Sequence, residues 1–351
     1  MSTLKGAKNK VTVTSIAKDL GLSPSTVSFV LSGQAEKRKI SPKTAIRVKN
    51  HAKKVHYVPN YWARGLRTMQ SRIVSSYFAD IGYWSNDIIR GLSKSLKNQG
   101  YNFVLNVNWG DPEVLNDELN GAMSRRDKGV LIHPMPGDYD YSFFLDSDIQ
   151  AVFIGDVQEK FEYMDRISLV QWNTENAIKL VIERFMETGR KKLGFVGSHY
   201  GMLSDSLRFN AYKSEIRNAG LMMKDQWVIW LPYPISYSAF EYDDSTIRKY
   251  LEQLFFEADR PDAIFVLNDF LAVKVLSIME DINIKVPDDV SVISVGDLVI
   301  AEHANLTTLV EPREMLGQTT GQTLLNIFEG TEPANIKKVV DYSELKIRNS
   351  G

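Results

Sequence analysis

The part of the chain that follows residue 72 alternates short apolar runs with amphipathic stretches, and this alternation limits the folds open to it. Strands that alternate with helices form parallel sheets covered by helices on both faces. Strands are predicted in two sets, at 74–78, 103–107, 130–132 and 152–154, and then at 193–196, 263–267 and 290–295. Helices are predicted between them at 87–98, 112–124, 175–188, 207–219, 244–257 and 270–280. Two sets predict two lobes, whose ligands bind at the carboxyl ends of the strands.

The charge of the chain is divided unevenly between its ends, although the net charge of its 351 residues is only -1. Residues 1–72 hold 15 Lys and Arg residues against two acidic ones, whereas the remainder holds 27 basic and 41 acidic residues. In the basic part the charges are interleaved with periodic apolar residues, which predicts a folded module rather than a solvated tail. A folded basic module most often binds nucleic acid.

Three short helices are predicted between residues 12 and 57. Thr12 or Thr14 caps the first helix, which ends at Gly21, and the second helix follows Ser23-Pro24. A third helix follows Ser41-Pro42. Two helices joined by a short Gly-containing turn form a helix-turn-helix, and the basic charge, the caps and the third helix favour this motif over an unrelated helical hairpin. The second helix then presents to the DNA major groove the side chains of Ser25, Thr26, Ser28 and Phe29.

The stretch VTVTSIAKDLGLSPSTVSFVLSG, at residues 11–33, resembles the headpiece of the lactose-repressor (LacI/GalR) family of bacterial transcription regulators. The resemblance implies an all-α, lambda-repressor-like helix-turn-helix that contacts DNA through Thr14, Ser23, Ser25, Thr26, Ser28 and Phe29. The stretch YVPNYWARGLRT, at residues 57–68, resembles the hinge helix of that family. It implies that Leu66 wedges into the minor groove, with Arg64 and Arg67 beside it, although a core position is the alternative for Leu66.

Two departures from the family pattern fall in the headpiece. Phe29 occupies a position where the family often has an Arg that reads a base edge. Phe29 cannot donate a hydrogen bond but can touch a thymine methyl, so we expect an operator different from the common one. The loop Glu36-Lys37-Arg38-Lys39 is about three residues longer than usual, and it either contacts phosphate or is solvated.

Collinear matches along the body extend the resemblance to the periplasmic-binding-protein-like core of the family. The matching segments are RGL at 90–92, GRKKLGFVG at 189–197, RFNAY at 208–212, RPDAIFVLND at 260–269, VPDDVSVIS at 286–294, LTTL at 306–309 and IRNS at 347–350. The implied core is an α/β structure of two doubly wound parallel-sheet lobes.

Family members bind a small polar metabolite, often a sugar, between these lobes. The positions that match the effector-binding residues are Tyr83, Trp84, Asp156, Arg208, Asn268 and Asp297, with Asp269 beside Asn268. For the two aromatic residues the alternative is core packing, and for Arg208 it is a surface ion pair. Gly296 replaces a frequent Asp that holds ligand hydroxyls, and Trp172-Asn173 replaces another. These differences predict an effector unlike a simple hexose: a larger oligosaccharide, or an acidic or aromatic compound.

The sequence offers no catalytic constellation. It has no Gly-rich phosphate loop, no GxSxG or HExxH motif and no Cys, and its five His residues lie far apart. Asp138 and Asp140 are interpreted as solvated turn residues. We therefore expect no enzyme activity, no cofactor and no metal. The chain shows neither an apolar run near the ~20 residues of a membrane helix nor a signal peptide, which predicts a cytoplasmic, nucleoid-associated protein without a membrane partner.

These features predict a headpiece at 1–57, a hinge and linker at 58–71 and a core at 72–351. The predicted function is that of a homodimeric transcription regulator, interpreted as a repressor, that binds a pseudo-palindromic operator in double-stranded DNA. A small-molecule effector, interpreted as carbohydrate-like, modulates that binding. The alternatives are a solute-binding protein or an enzyme on the same core fold, and a non-specific architectural DNA binder.

Overall fold

The computed structural model describes residues 11–57, 71–133, 141, 146–157, 165–198, 203–232, 243–342 and 344–351. These residues form two compact units, the headpiece before the gap at 58–70 and the body after it. None of the helices in the described part of the chain has the length and apolarity that spanning a bilayer requires.

The headpiece contains the helices α1 (Val13–Leu20), α2 (Pro24–Leu31) and α3 (Pro42–Lys54). Thr12 caps α1 in a reciprocal arrangement with Ser15, so Thr12 and not Thr14 is the cap. Gly21 ends α1 with a φ of 61°, a left-handed conformation that glycine adopts without strain. Ser23 and Ser41 cap the next two helices. The three helices bury a small apolar core of Ile16, Ala17, Val27, Val30, Val48 and Ala52.

The body alternates strands with helices as the sequence predicts. Its strands are β1 (Ile73–Phe78), β2 (Asn102–Val107), β3 (Gly129–Ile132), β4 (Gln150–Ile154), β5 (Ser168–Trp172), β6 (Leu193–Ser198), β7 (Val228–Leu231), β8 (Ala263–Val266), β9 (Ser291–Val295), β10 (Thr307–Leu309), β11 (Lys337–Val340) and β12 (Leu345–Lys346). Its helices are α4 (Ser85–Asn98), α5 (Pro112–Arg125), α6 (Thr174–Glu187), α7 (Leu203–Asn218), α8 (Asp244–Phe255), α9 (Asp269–Asp281), α10 (Val299–His303) and α11 (Arg313–Glu329).

The strands form two six-stranded sheets, one in each lobe. The first lobe has the order β11-β5-β4-β3-β1-β2 and is parallel throughout. The second has the order β12-β10-β9-β8-β6-β7 and is parallel except where β12 runs against β10. Helices α4 and α11 cover one face of the first sheet and α5 the other, while α6 and α7 lie opposite α8, α9 and α10 on the second. The predicted fold class is confirmed.

The chain passes between the lobes at three crossovers, which follow β5, β10 and β11. After β10 it returns to the first lobe to form α11 and β11, and it then ends in the second lobe with β12. The first lobe is therefore completed by residues from near the C-terminus.

Helices α4 and α11 of the first lobe approach each other so closely that glycine is required at the contact. A Cβ atom on Gly91 would lie 2.2 Å from the carbonyl oxygen of Glu314, and one on Gly317 would lie 2.1 Å from that of Ile88. Lys94 and Glu314 form an ion pair beside this contact. The backbones of the two helices are therefore in direct contact at Gly91 and Gly317, where any larger residue would clash.

The predicted strands and helices of the body all appear, and their ends shift by at most four residues, as where α7 begins at Leu203 instead of 207. Strands β5, β7, β10, β11 and β12 and helices α10 and α11 were not predicted. Among them, β7, β11 and β12 lie at sheet edges. Strands β11 and β12 carry polar residues, so they lack the continuous apolar run by which buried parallel strands are recognised, whereas β7 has such a run in VIWL and was overlooked.

Candidate functional site

The outward side of α2 carries the polar residues that are predicted to contact DNA. Val27 and Val30 are buried in the headpiece core, whereas Ser25 is exposed, and Thr26, Ser28 and Phe29 are partly exposed. The predicted orientation of the helix is therefore confirmed, and the contact of these side chains with DNA stays a prediction.

Hydroxyl groups cluster at the start of α2. The Ser23 Oγ accepts a hydrogen bond from the Thr26 amide at 3.1 Å and lies 2.8 Å from the hydroxyls of both Ser25 and Thr26. Thr14 is exposed near the start of α1. Hydroxyls both donate and accept, so the cluster caps the helix and can also meet phosphate or base edges.

The predicted hinge residues Arg64, Leu66 and Arg67 lie outside the described residues, as do Asp138 and Asp140. Their roles stay predictions.

In the body, charged side chains meet between the two lobes. Arg208, on α7 of the second lobe, pairs with Glu311 in the crossover after β10. Glu311 also accepts hydrogen bonds from Arg313 at 2.8 and 3.1 Å. The side chains of Arg208, Glu311 and Arg313 are only 14%, 12% and 7% exposed, so water screens their charges weakly. The ion pair of Arg208 is therefore a buried one and not the surface pair that was the alternative.

Tyr342, in the crossover after β11, completes this arrangement. Its hydroxyl accepts a hydrogen bond from Arg208 and donates one to Glu311, both at 3.2 Å. Arg313 reaches into the second lobe and donates to the carbonyl oxygen of Gly296 at 2.7 Å. Burial alone would raise the pKa of Glu311, but Arg313 and Arg208 outweigh that effect and hold the pKa below its usual value. Glu311 is therefore an anion that ties the lobes together.

Two further carboxyl groups face this arrangement, Asp156 after β4 and Asp205 in the first turn of α7. Burial raises the pKa of each from 3.8 to about 6; Arg208 opposes this increase and Glu311 adds to it. Within the described residues, neither side chain has a hydrogen-bond or ion-pair partner. We call the six residues Asp156, Asp205, Arg208, Glu311, Arg313 and Tyr342 the interlobe cluster. Asp156 and Asp205 are its free acceptors within the part of the chain that is described.

The two predicted aromatic residues have different surroundings. The ring of Tyr83 lies 4.9 Å from that of Phe270 on α9, and the Arg313 guanidinium lies 5.9 Å from the centre of the Tyr83 ring. Tyr83 thus borders the interlobe cluster. Trp84 instead donates to Asp80 at 3.0 Å and packs on His133, with ring centres 4.4 Å apart, inside the first lobe. Core packing, the alternative stated for both, describes Trp84 better.

Asn268 and Asp297 already have structural partners. The Asn268 side chain caps α9 by accepting from the Leu271 amide at 2.8 Å. The Asp297 carboxylate pairs with Lys346 and, at 3.1 Å, with Arg348, so the structure does not bring it into the interlobe cluster. Contact of either residue with an effector stays a prediction.

Packing requires glycine at position 296, independently of any ligand. Its φ is 145°, and a Cβ atom there would lie 2.7 Å from a carboxylate oxygen of Asp269. Asp269 is fully buried and accepts hydrogen bonds from the Ser294 hydroxyl, the Thr308 hydroxyl and the Leu298 amide. Asp269 therefore holds α9, β9 and β10 together, and Gly296 leaves room for it.

Trp172 and Asn173 connect two of the crossovers. Asn173 caps α6 and donates a hydrogen bond to Asp341 at 2.6 Å. The ring of Trp172 lies 5.6 Å from that of Tyr342. The change from the family pattern at these positions thus affects the segments that link the lobes.

Sequence reasoning missed Asp205, Glu311, Arg313 and Tyr342. A signal for two of them existed, because Asp156, Glu311 and Tyr342 each lie two residues beyond the end of a parallel strand. Ligands bind at the carboxyl ends of parallel strands, and Asp156 was selected for that reason. The same reasoning was not applied to Glu311 and Tyr342 because β10 and β11 were not predicted as strands.

Comparison with known proteins extends these observations over the whole chain. Residues 182–351 match the family profile of the periplasmic binding protein-like domain. The HTH-type transcriptional regulator CelR of Thermobifida fusca is 25% identical, over 98% of this chain and 99% of its own. The ribose operon repressor of Escherichia coli K12 is 24% identical, over 90% of this chain and 92% of its own. These curated transcription regulators support the resemblance to the LacI/GalR family that the sequence motifs indicate.

Solved structures of transcription regulators share the fold of this chain. The lac repressor dimer bound to operator and the anti-inducer ONPF has a TM-score of 0.79 at 19% identity, covering 97% of this chain and 99% of its own. The CelR–cellobiose complex has a TM-score of 0.66 at 21% identity, covering 97% and 100%. Because its curated relatives are transcription regulators, the expectation that this chain is an effector-modulated, DNA-binding regulator and not an enzyme is confirmed.

Proposed function

We propose that two copies of this chain bind one pseudo-palindromic operator in double-stranded DNA and repress transcription in the cytoplasm, on the nucleoid. One α2 helix enters each half-site. The observation that carries this proposal is the outward side of α2, where Ser25, Thr26, Ser28 and Phe29 stand beside the hydroxyl cluster at Ser23. The strongly basic charge of residues 1–72 supports it.

Sequencing of genomic fragments captured by the protein, followed by footprinting, tests this part. We expect a preferred sequence with two-fold symmetry and protection of both half-sites. Fragments without a shared sequence would contradict the proposal and would indicate an architectural DNA binder.

The interlobe cluster is proposed to bind the effector. Asp156 and Asp205 supply acceptors that have no partner among the described residues, Tyr83 borders the cluster with an aromatic face, and Arg208 supplies donors once Glu311 is displaced. Trp84, Asn268 and Asp297 stay candidates at the edge of the site. Polar groups that converge beside an aromatic face are typical of small-molecule sites.

The charge of the cluster narrows the class of effector. Three carboxyl groups, Asp156, Asp205 and Glu311, face the two guanidinium groups of Arg208 and Arg313. An acidic effector would meet this excess of carboxylates, whereas hydroxyl or ammonium groups would donate to them. We therefore favour an uncharged or amine-bearing carbohydrate larger than a monosaccharide; the relative CelR has been solved as a complex with cellobiose.

Titration calorimetry with matched sugars tests the class. The series contains neutral disaccharides, their amino-sugar counterparts and their uronic acids, with monosaccharides as size controls. We expect binding of neutral or amino compounds and none of the uronic acids. Tight binding of a uronic acid would contradict the proposed charge, and tight binding of a monosaccharide alone would contradict the proposed size.

The effector changes DNA affinity through its different affinities for two arrangements of the lobes. Glu311 and Tyr342 lie in crossovers, so an effector that replaces Glu311 at Arg208 acts on the segments that link the lobes. The proposed consequence is a lobe rotation that moves the paired hinge helices. Footprinting and bending assays with Leu66→Ala test the hinge, since unchanged operator affinity and bending would contradict the wedge.

A further inference from the structure

The loop between α2 and α3 is held in a defined shape by its own backbone. The amides of Arg38, Lys39 and Ile40 donate to the carbonyl oxygens of Gln34, Glu36 and Ala35 at 3.0, 2.9 and 2.9 Å. Ala35 and Ile40 also pack against the headpiece core. The longer loop is therefore a folded part of the headpiece, and its basic side chains project from a fixed backbone.

One of these basic side chains covers the unusual residue of α2. The guanidinium carbon of Arg38 lies 4.6 Å from the centre of the Phe29 ring. A guanidinium stacks through its flat face on an aromatic ring, which leaves the N–H groups along its edge free to donate. Within the described residues, no hydrogen bond or ion pair engages the Arg38 side chain. The contact thus positions the guanidinium group of Arg38 above α2. We call this planar set of N–H donors, which no described residue engages, the Arg38 fork.

The place of this fork matters because Phe29 lies on the outward side of α2, among the residues that are proposed to enter the major groove. Phe29 itself cannot donate a hydrogen bond. An Arg fork in the major groove has one preferred target, the O6 and N7 atoms of guanine, which it contacts through two parallel hydrogen bonds. A phosphate contact would not require that the guanidinium be fixed over a ring on the recognition helix.

We infer that Arg38, stacked on Phe29, is a specificity-determining residue that reads a guanine in each half-site of the operator. The two residues act as one unit, in which the ring of α2 supplies the platform and the loop supplies the donors. This inference rests on the proposed binding of operator DNA through α2.

Selection from a random duplex library tests the inference, with the full-length protein, three single variants, a control variant and one double variant. Arg38→Ala removes the fork, Arg38→Lys keeps its charge without the paired donors, and Phe29→Leu removes the platform. Lys37→Ala is the matched control, because it removes the same charge from the same exposed loop but not from the ring. Thermal melting of each variant checks that the headpiece is folded.

For the wild type we expect a preference for guanine at one position of each half-site. Arg38→Ala, Arg38→Lys and Phe29→Leu should reduce that preference by about 10- to 100-fold and leave the other positions unchanged. Lys37→Ala should retain the preference and weaken all sequences alike. Combining Phe29→Leu with Arg38→Ala should add no further loss at that position.

A uniform loss of affinity for all sequences with Arg38→Ala, equal to that of Lys37→Ala, would overturn the inference and assign Arg38 to a phosphate. An unchanged sequence preference in the folded Arg38→Ala variant would also overturn it, while operator binding itself would stand. If the wild type selected no sequence, the proposed operator binding would fail and this inference with it.

Discussion

Charged side chains are exposed in the headpiece but largely buried in the interlobe cluster. In the headpiece every core side chain is apolar, and the basic residues lie exposed or partly exposed around it, as Lys37 and Arg38 do. In the interlobe cluster the charges are themselves buried, and Arg208, Glu311 and Arg313 depend on one another for compensation. The partners proposed for the two regions also differ, a polyanion for the headpiece and a small molecule for the cluster.

Exposed and buried charges have different energetic requirements. Exposed charge keeps its hydration, so the headpiece can carry it without loss of stability, but salt screens it. Buried charge loses hydration, so each group of the cluster stabilises or destabilises the fold according to whether it has a partner.

Arg208→Ala should destabilise the body by about 3–5 kcal/mol, because it leaves Arg313 as the one guanidinium of the cluster that faces the carboxyl groups of Asp156, Asp205 and Glu311. Urea unfolding followed by tryptophan fluorescence measures the change. Arg248→Ala is the matched control, since Arg248 forms an exposed pair with Asp281. It should lower the free energy of unfolding by less than about 1 kcal/mol. Equal effects of the two substitutions would mean that the cluster is hydrated like the surface.

The salt concentration should affect the affinity for operator DNA much more than the affinity for effector. Raising the salt concentration from about 50 to 200 mM should weaken operator binding about 10³-fold, because Lys and Arg release counterions from the DNA. The effector affinity, measured by calorimetry over the same range, should change less than about threefold, because buried groups are poorly screened. A salt-independent operator affinity would contradict the assignment of the exposed basic surface to DNA.

Asp156→Asn should stabilise the effector-free body while impairing its response to effector. The substitution removes a buried carboxylate that lacks a described partner, and we expect a gain of about 1–2 kcal/mol at pH 7 with at least a tenfold loss of effector affinity. Asp146→Asn, which alters an exposed pair with Arg166, is the control and should do neither. Destabilisation by Asp156→Asn would show that the carboxylate has a structural role.

The pH dependence of stability should also reveal the cost of burying the carboxylates of Asp156 and Asp205. Because the pKa values of Asp156 and Asp205 rise from 3.8 to about 6 on folding, the folded chain binds these protons more tightly than the unfolded chain. Their contribution to stability is present at low pH and is lost as the pH rises through about 6. Relative to the Asp156→Asn/Asp205→Asn variant, the wild type should therefore gain melting temperature between pH 7 and pH 5. A constant difference between the two proteins would refute the raised pKa values.

The smallest effect is expected at the start of the headpiece. Thr12→Ala removes the cap of α1 and should lower the stability of the headpiece alone by about 1 kcal/mol. Thr14→Ala, one residue inside the helix, should have little effect on stability. Circular dichroism melts of the two variants measure the difference. A larger effect of Thr14→Ala than of Thr12→Ala would show that Thr12 is not the cap of α1.

The sequence was sufficient where local chemistry decides the structure, as in the caps at Ser23 and Ser41 and the apolar strands such as β1 and β8. It was insufficient where structure depends on distant residues. Strand β11, with the sequence KKVV, is a strand because it pairs with β5. For the same reason Glu311 and Tyr342 were missed, although they follow strands as Asp156 does. The stacking of Arg38 on Phe29 depends on the path of a loop, which composition does not encode.

The close contact of α4 with α11 also determines when the protein can fold during its synthesis. Gly91 of α4 emerges from the ribosome long before Gly317 of α11, more than two hundred residues later. Until then the first lobe lacks one of the two helices that cover one face of its sheet, and also its edge strand β11. A nascent chain therefore exposes the apolar surface that α11 later covers, and surface of this kind is prone to aggregation. A chain terminated before residue 313 would carry the complete headpiece but would lack α11, β11 and β12 of the body.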